Sequence, residues 1–92
     1  MSTVRIPPVL RAQAGGAKTL EMAGSTVGEV LAELVAAHRE LRAQLFTDEG
    51  KLSRFVNVYV DGQDVRYTGE LATAVGERDE VVILPAMAGG TW

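Results

Sequence analysis

Apolar and polar residues alternate in a short stretch at the start of the chain, then switch to a helical period after residue 26. From Thr3 to Ile6, Val4 and Ile6 fall on one side and Thr3 and Arg5 on the other, the two-residue repeat of a strand. Pro7 and Pro8 have no backbone N–H, so this strand ends there or lies at a sheet edge. Gln13-Ala14-Gly15-Gly16 predicts a turn, because paired glycines admit positive φ. Lys18 to Ala23 predicts a second strand, a hairpin partner to the first. Thr26-Val27-Gly28-Glu29 fits a capping box, in which Thr26 and Glu29 satisfy each other's exposed amides at a helix start. Val27, Val30, Leu31, Leu34 and Val35 then recur at helical spacing, with Glu29, Glu33 and Ala36 opposite. Leu41 and Leu45 extend the stripe through a kink or a second short helix, and Asp48-Glu49-Gly50 stops it.

Phe55 to Val60 is the strongest strand signal, β-branched, aromatic and alternating. Asp61-Gly62 predicts a tight turn, after which Val65-Arg66-Tyr67 returns as a short strand. Leu71 to Val75 is a loop or short helix. Glu80 to Leu84 is the last strand, ended by Pro85. The order is strand, strand, helix, strand, short strand, strand. This predicts an α+β domain in which one main helix covers one face of a mixed sheet of four to five strands, since neither element can bury its apolar side alone. Residues 1–86 form the domain, and residues 87–92 a flexible C-terminal tail.

Ninety-two residues make one domain. The net charge is −3 and the nine basic residues are scattered, whereas phosphate neutralisation needs a concentrated basic face. Nucleic-acid binding is therefore not expected. Without cysteine there is no disulfide, thiol nucleophile or thiolate metal site. The N-terminus lacks the basic start and apolar stretch of a signal peptide. No apolar run approaches the roughly 20 residues that span a bilayer. The expected location is the cytoplasm, with no membrane partner.

A catalytic constellation is hard to assemble from these residues. His38, the one histidine, borders the apolar stripe and fits a partly buried helix residue better than a base or ligand. No zinc-ligand spacing exists. Asp48 with Glu49, and Glu77 with Asp79 and Glu80, sit in turn-rich segments where carboxylates face water. Gly15-Gly16 leads into a strand, not a helix, so it makes no phosphate cradle. The chain is not expected to be an enzyme or to bind a cofactor or metal. What remains is the tail. Gly89 and Gly90 follow the last strand and a proline, and Ala86 to Gly90 span at most about 17 Å. A strip without Cβ atoms suits delivery of a carboxylate through a narrow channel into another protein.

The chain resembles the β-grasp (ubiquitin-like) sulfur carriers of the ThiS and MoaD group, most closely the actinobacterial CysO type. The resemblance spans nearly the whole chain. It is carried by Val4-Arg5-Ile6-Pro7 and Leu10-Arg11, by Lys51-Leu52 with Arg54 to Val60, by Asp64 to Tyr67, and by Asp79 to Gly90 with its Ile83-Leu84-Pro85 strand end and Gly89-Gly90. It implies that a ubiquitin-activating-type adenylating and sulfur-transferring enzyme, using ATP, converts the Gly90 carboxylate to a thiocarboxylate. It further implies a sulfur-accepting synthase that makes cysteine, or a sulfur-containing natural product such as a thiosugar. A metalloprotease completes the set of partners.

Thr91 and Trp92 follow Gly90, so its carboxyl is held in a peptide bond. Cleavage between Gly90 and Thr91 is therefore expected before activation, with Met87, Ala88 and Gly89 as the delivery arm. Alternation turns Val81 and Ile83 toward the helix and Val82 and Leu84 away. If the first and last strands are neighbours, as the resemblance implies, Pro7, Val82 and Leu84 make an apolar partner-binding patch beside the tail. Three alternatives remain: a protein modifier conjugated through Gly90, the small subunit of molybdopterin synthase, and a non-covalent binding module with an incidental Gly-Gly.

Overall fold

The alternation around Val4 produces a strand that is paired along both edges. In the computed structural model, which describes residues 1–86, β1 is Ser2–Arg5 and pairs antiparallel with β2, Thr19–Met22, with Val4 opposite Leu20. Its other edge pairs in parallel with β5, Glu80–Pro85, where Val4 meets Val81. β3, Val56–Val60, runs antiparallel to β5 from Val56 opposite Pro85 to Val60 opposite Val81. The two-residue β4, Gln63–Asp64, completes a mixed sheet in the order β2-β1-β5-β3-β4. Parallel neighbours cannot be joined by a tight turn, so the chain crosses from one side of the sheet to the other between β2 and β3. The crossover carries the main helix.

That helix, α1, spans Val27–Ala37. Thr26 Oγ1 accepts the Glu29 N–H at 3.2 Å, as a capping box requires. The reciprocal arm differs from expectation: Glu29 Oε1 accepts from Ser25 N–H at 2.7 Å and Ser25 Oγ at 2.8 Å, one residue further back than Thr26. Val27, Val30, Leu31 and Leu34 are buried against Val4, Val58, Val81 and Ile83 of the sheet. The helix stops at His38, and a 3₁₀ turn at Arg39–Leu41 leads into α2, Arg42–Leu45, so the stripe does continue through a break to bury Leu41 and Leu45. Gly24 admits this packing: with φ +148°, a Cβ there would stand 2.7 Å from the Val30 nitrogen.

Asp61 (φ 48°) and Gly62 (φ 85°) form the two-residue hairpin turn, both left-handed as the strand twist favours. The return differs from the predicted strand at Val65–Tyr67. Asp64 Oδ1 accepts the Arg66 N–H at 2.9 Å and starts a 3₁₀ turn at Val65–Tyr67 instead. An aspartate side chain here outcompetes the ladder for its own backbone. The segment before β5 holds a 3₁₀ turn at Glu70–Ala72 and a bridge from Ala74 to Thr26. The five strands and main helix match the expected fold; the predicted tail, 87–92, lies outside the described residues.

Thr26→Ala should cost about 1 kcal/mol, and Leu34→Ala about 2–5 kcal/mol, both measured by urea unfolding. The Ser25 backbone N–H, then its hydroxyl, hold the Glu29 carboxyl below its ordinary pKa. A depressed carboxyl stabilises above its unfolded pKa and loses that effect as pH falls through the folded value. The stability gap between the wild type and Glu29→Gln should therefore shrink as urea titrations move from neutral into acid pH.

Candidate functional site

Everything apolar that the helix layer needs comes from one face of the sheet, so the other face is free to serve as a surface. Its residues follow from the strand register. Leu84 stands opposite Asn57, and Val82 lies between Tyr59 on β3 and Arg5 on β1. One step nearer the C-terminus, the Ala86 N–H donates to the Phe55 carbonyl at 2.8 Å, which keeps the chain beside β3 up to the last described residue. Leu84 is 41% exposed and Phe55 74% exposed, while their neighbours Ile83 and Val56 are buried. Glu80 Oε2 and Arg5 Nε pair at 2.9 Å near the start of β5, both well exposed.

Val82 and Leu84 thus point outward as alternation predicts, Val82 half-buried and Leu84 exposed. Pro7 does not join them. Alternation past Arg5 assumed a continuing strand, but the chain turns at Pro7, whose carbonyl accepts the Leu10 N–H at 2.9 Å, and Pro7 is buried. Phe55, Asn57 and Tyr59 take its place, because Val56, Val58 and Val60 point inward on the same strand. That signal was present in the Phe55–Val60 alternation, which assigns the odd positions to the outer face. Met87, Ala88, Gly89, Gly90 and Thr91 lie outside the described residues.

Among the described residues, no cluster of three His, Asp or Glu side chains is poised for a metal. His38 is half-buried, its ring packed near Gly15 in a shallow cleft of about 410 Å³ with Gln13, Arg39 and Glu40. Ser53 and Thr73 are buried hydroxyls already engaged, with the Phe55 N–H at 3.1 Å and the Thr68 hydroxyl at 3.0 Å. Two carboxyls are held below their ordinary range, Glu29 as above and Asp61 by the Glu80 backbone N–H first and Asp79 second. Both bind backbone amides at element ends, which is structural work. No described helix is long and apolar enough to cross a membrane.

A helix-backed mixed sheet of five strands with one open face defines a ubiquitin-like, β-grasp protein. The chain belongs to the ThiS family, whose model matches residues 4–90. It is 47% identical over 90 residues to the sulfur carrier protein CysO of Mycobacterium tuberculosis, covering 96% of this chain and 97% of that one. It is 37% identical over 82 residues to small archaeal modifier protein 1 of Haloferax volcanii, covering 86% and 90%. The structure superposes on a chain of the Amycolatopsis orientalis BexX/CysO complex with a TM-score of 0.89 at 44% identity, covering 98% of this chain and 100% of that one. Sequence and fold together make it a ubiquitin-like sulfur carrier of the CysO type.

Residues on the covered and open faces of the sheet should behave oppositely under mutation. Ile83→Ala should cost about 2–5 kcal/mol by urea unfolding, whereas Phe55→Ser should stay within about 0.5 kcal/mol of wild type.

Proposed function

We propose that the working group of this protein is the Gly90 carboxylate, released when a metalloprotease cleaves the Gly90–Thr91 bond. The observation that carries this reading is the placement of Gly89-Gly90 a few residues beyond a central strand that emerges beside an exposed apolar face. Before cleavage the Gly90 carbonyl is an amide and cannot attack ATP. After it, a carboxylate oxygen attacks the α-phosphorus of ATP in the activating enzyme and pyrophosphate leaves. A sulfur nucleophile then adds to the acyl carbon and AMP departs with that oxygen, leaving a thiocarboxylate. ATP is the activating enzyme's substrate, and the carrier itself binds no cofactor. The setting is the cytoplasm, where ATP is available.

Val82 and Leu84, with Phe55 and Tyr59, form the docking patch for the activating enzyme, and Met87 to Gly90 the arm that enters its channel. The charged thiocarboxylate then passes to a synthase, whose acceptor is an activated serine or a precursor of a sulfur-containing natural product such as a thiosugar. The kinship with CysO favours cysteine formation, in which the metalloprotease also releases the finished amino acid. A second reading, conjugation of Gly90 to lysines of other proteins, is favoured by the identity to an archaeal modifier protein. It uses the same fold and activation and differs only in the acceptor.

With the activating enzyme, ATP and sulfide, the chain ending at Gly90 should gain the mass of sulfur in place of oxygen, while the chain ending at Trp92 stays unchanged. Leu84→Asp should keep the fold and lower kcat/KM for activation about tenfold, the scale of a modest interface hot spot. Protein from the native host that carries sulfur while retaining Trp92 would refute cleavage. Lysine-linked conjugates without any thiocarboxylate would favour the modifier reading.

A further inference from the structure

The charges bordering the open face that lack an ion-pair partner among the described residues are unevenly distributed along its strands. Its acidic members are Glu21, opposite Thr3, Glu80 at the start of β5, which Arg5 pairs, and Asp64, opposite Tyr59, whose Oδ1 lies 3.9 Å from Arg66 Nε. All three stand away from the end where the chain leaves the sheet. Asp61 and Asp79 add to that acidic side, for Asp61 Oδ1 accepts the Glu80 N–H at 3.0 Å and the Asp79 carbonyl accepts the Thr3 N–H at 3.2 Å. The exit end is bordered differently. The Lys18 carbonyl accepts the Ile6 N–H at 2.8 Å, which sets Lys18 on the β1–β2 flank, and Arg11 Nε donates to the Ile6 carbonyl at 3.1 Å on the same flank. Arg54 precedes Phe55 on the β3 flank. Lys18 and Arg54 are exposed, and neither forms an ion pair among the described residues, although Glu70 lines the same cleft as Arg54. Leu84, Asn57 and Phe55 lie between these flanks and carry no charge.

From this arrangement, and resting on the activation proposed above, we infer that Lys18 and Arg54 are docking cations for an acidic rim around the activating enzyme's channel entrance. The distances decide what they act on. Ala86 to Gly90 can span about 17 Å, whereas exposed charges are screened beyond about 8 Å at physiological salt. Cations at the root of the tail therefore have little influence on a carboxylate at its tip. They meet whatever surrounds the channel mouth. The acidic far side disfavours the reverse approach to an acidic surface, so the same charges that hold the domain also turn it tail-first. Rim charges of this kind act on association rate and salt dependence more than on the bound complex.

The test uses the carrier ending at Gly90, with thiocarboxylate formation by the activating enzyme followed at low and high salt. The wild-type kcat/KM should fall several-fold as salt rises. Lys18→Glu with Arg54→Glu should lower it about tenfold at low salt, flatten the salt dependence, and retain kcat at saturating carrier. Adding Glu21→Lys and Glu77→Lys returns the net charge to its starting value with its polarity reversed, and kcat/KM should remain low. Recovery of kcat/KM in this charge-balanced variant would assign the effect to net charge and overturn the inference, as would wild-type kcat/KM in the double variant. Circular dichroism of both variants must match wild type, since loss of kcat with loss of fold would count against these residues being surface docking groups. A wild-type carrier that acquires no thiocarboxylate at all would instead refute the activation mechanism, and the inference with it.

Discussion

The parallel pairing of β1 with β5 is the contact on which the rest of the molecule depends. Without it the chain would be two antiparallel pieces, β1 with β2 and β3 with β4 and β5, each too small to hold a core. Joining them puts Val4, Val58, Val81 and Ile83 on one continuous apolar surface, which α1 covers with Val27, Val30, Leu31 and Leu34. Parallel pairing is itself a topological demand, because strands running the same way must be connected by a long crossover. The helix satisfies that demand and the burial demand together. The pairing also settles where the chain leaves the sheet. β5 has neighbours on both sides, so its C-terminal end emerges from the middle of the sheet.

This geometry explains why a protein without a catalytic centre among its described residues can still have a defined site. One helix layer can cover only one face of a five-stranded sheet, and the uncovered face necessarily carries the outward residues of the central strands. Those residues are Tyr59 on β3 and Val82 and Leu84 on β5, with Phe55 just before β3. The role proposed for this chain asks little more of the domain than a rigid body with an exposed apolar surface. His38, Ser53, Thr73 and the shifted carboxyls Glu29 and Asp61 are all engaged in packing or in capping backbone amides. They hold the body still.

Much of this was visible in the residues alone. The α1 stripe, the cap at Thr26, the break before Leu41 and the inward positions of β5 all follow from short-range periodicity, and they formed where the pattern placed them. The failures share a cause. A two-residue period extended past Arg5 puts Pro7 on the surface, but a proline-led turn replaces the strand there. The side chains of Val65–Tyr67 suit a strand, but Asp64 captures the Arg66 amide first. In both places a local hydrogen bond overrode the hydrophobic pattern. Phe55 was a different kind of omission, since its outward position was implied by the alternation that assigned Val56 to the core. Sheet order could not come from periodicity, because no local pattern states which distant strand will pair with β1. Membership of the ThiS family, not periodicity, carries that order.

The central position of β5 has a mechanical consequence. Consider a force applied to the C-terminal end of β5 along the strand's own axis. β5 is bonded to β1 on one edge and to β3 on the other, so that pull loads both ladders in shear and their hydrogen bonds resist together. A terminal strand at the sheet edge, pulled sideways, would instead release its bonds one at a time. The fold is therefore anchored at the C-terminal end of β5, where a pull would have to break two ladders at once.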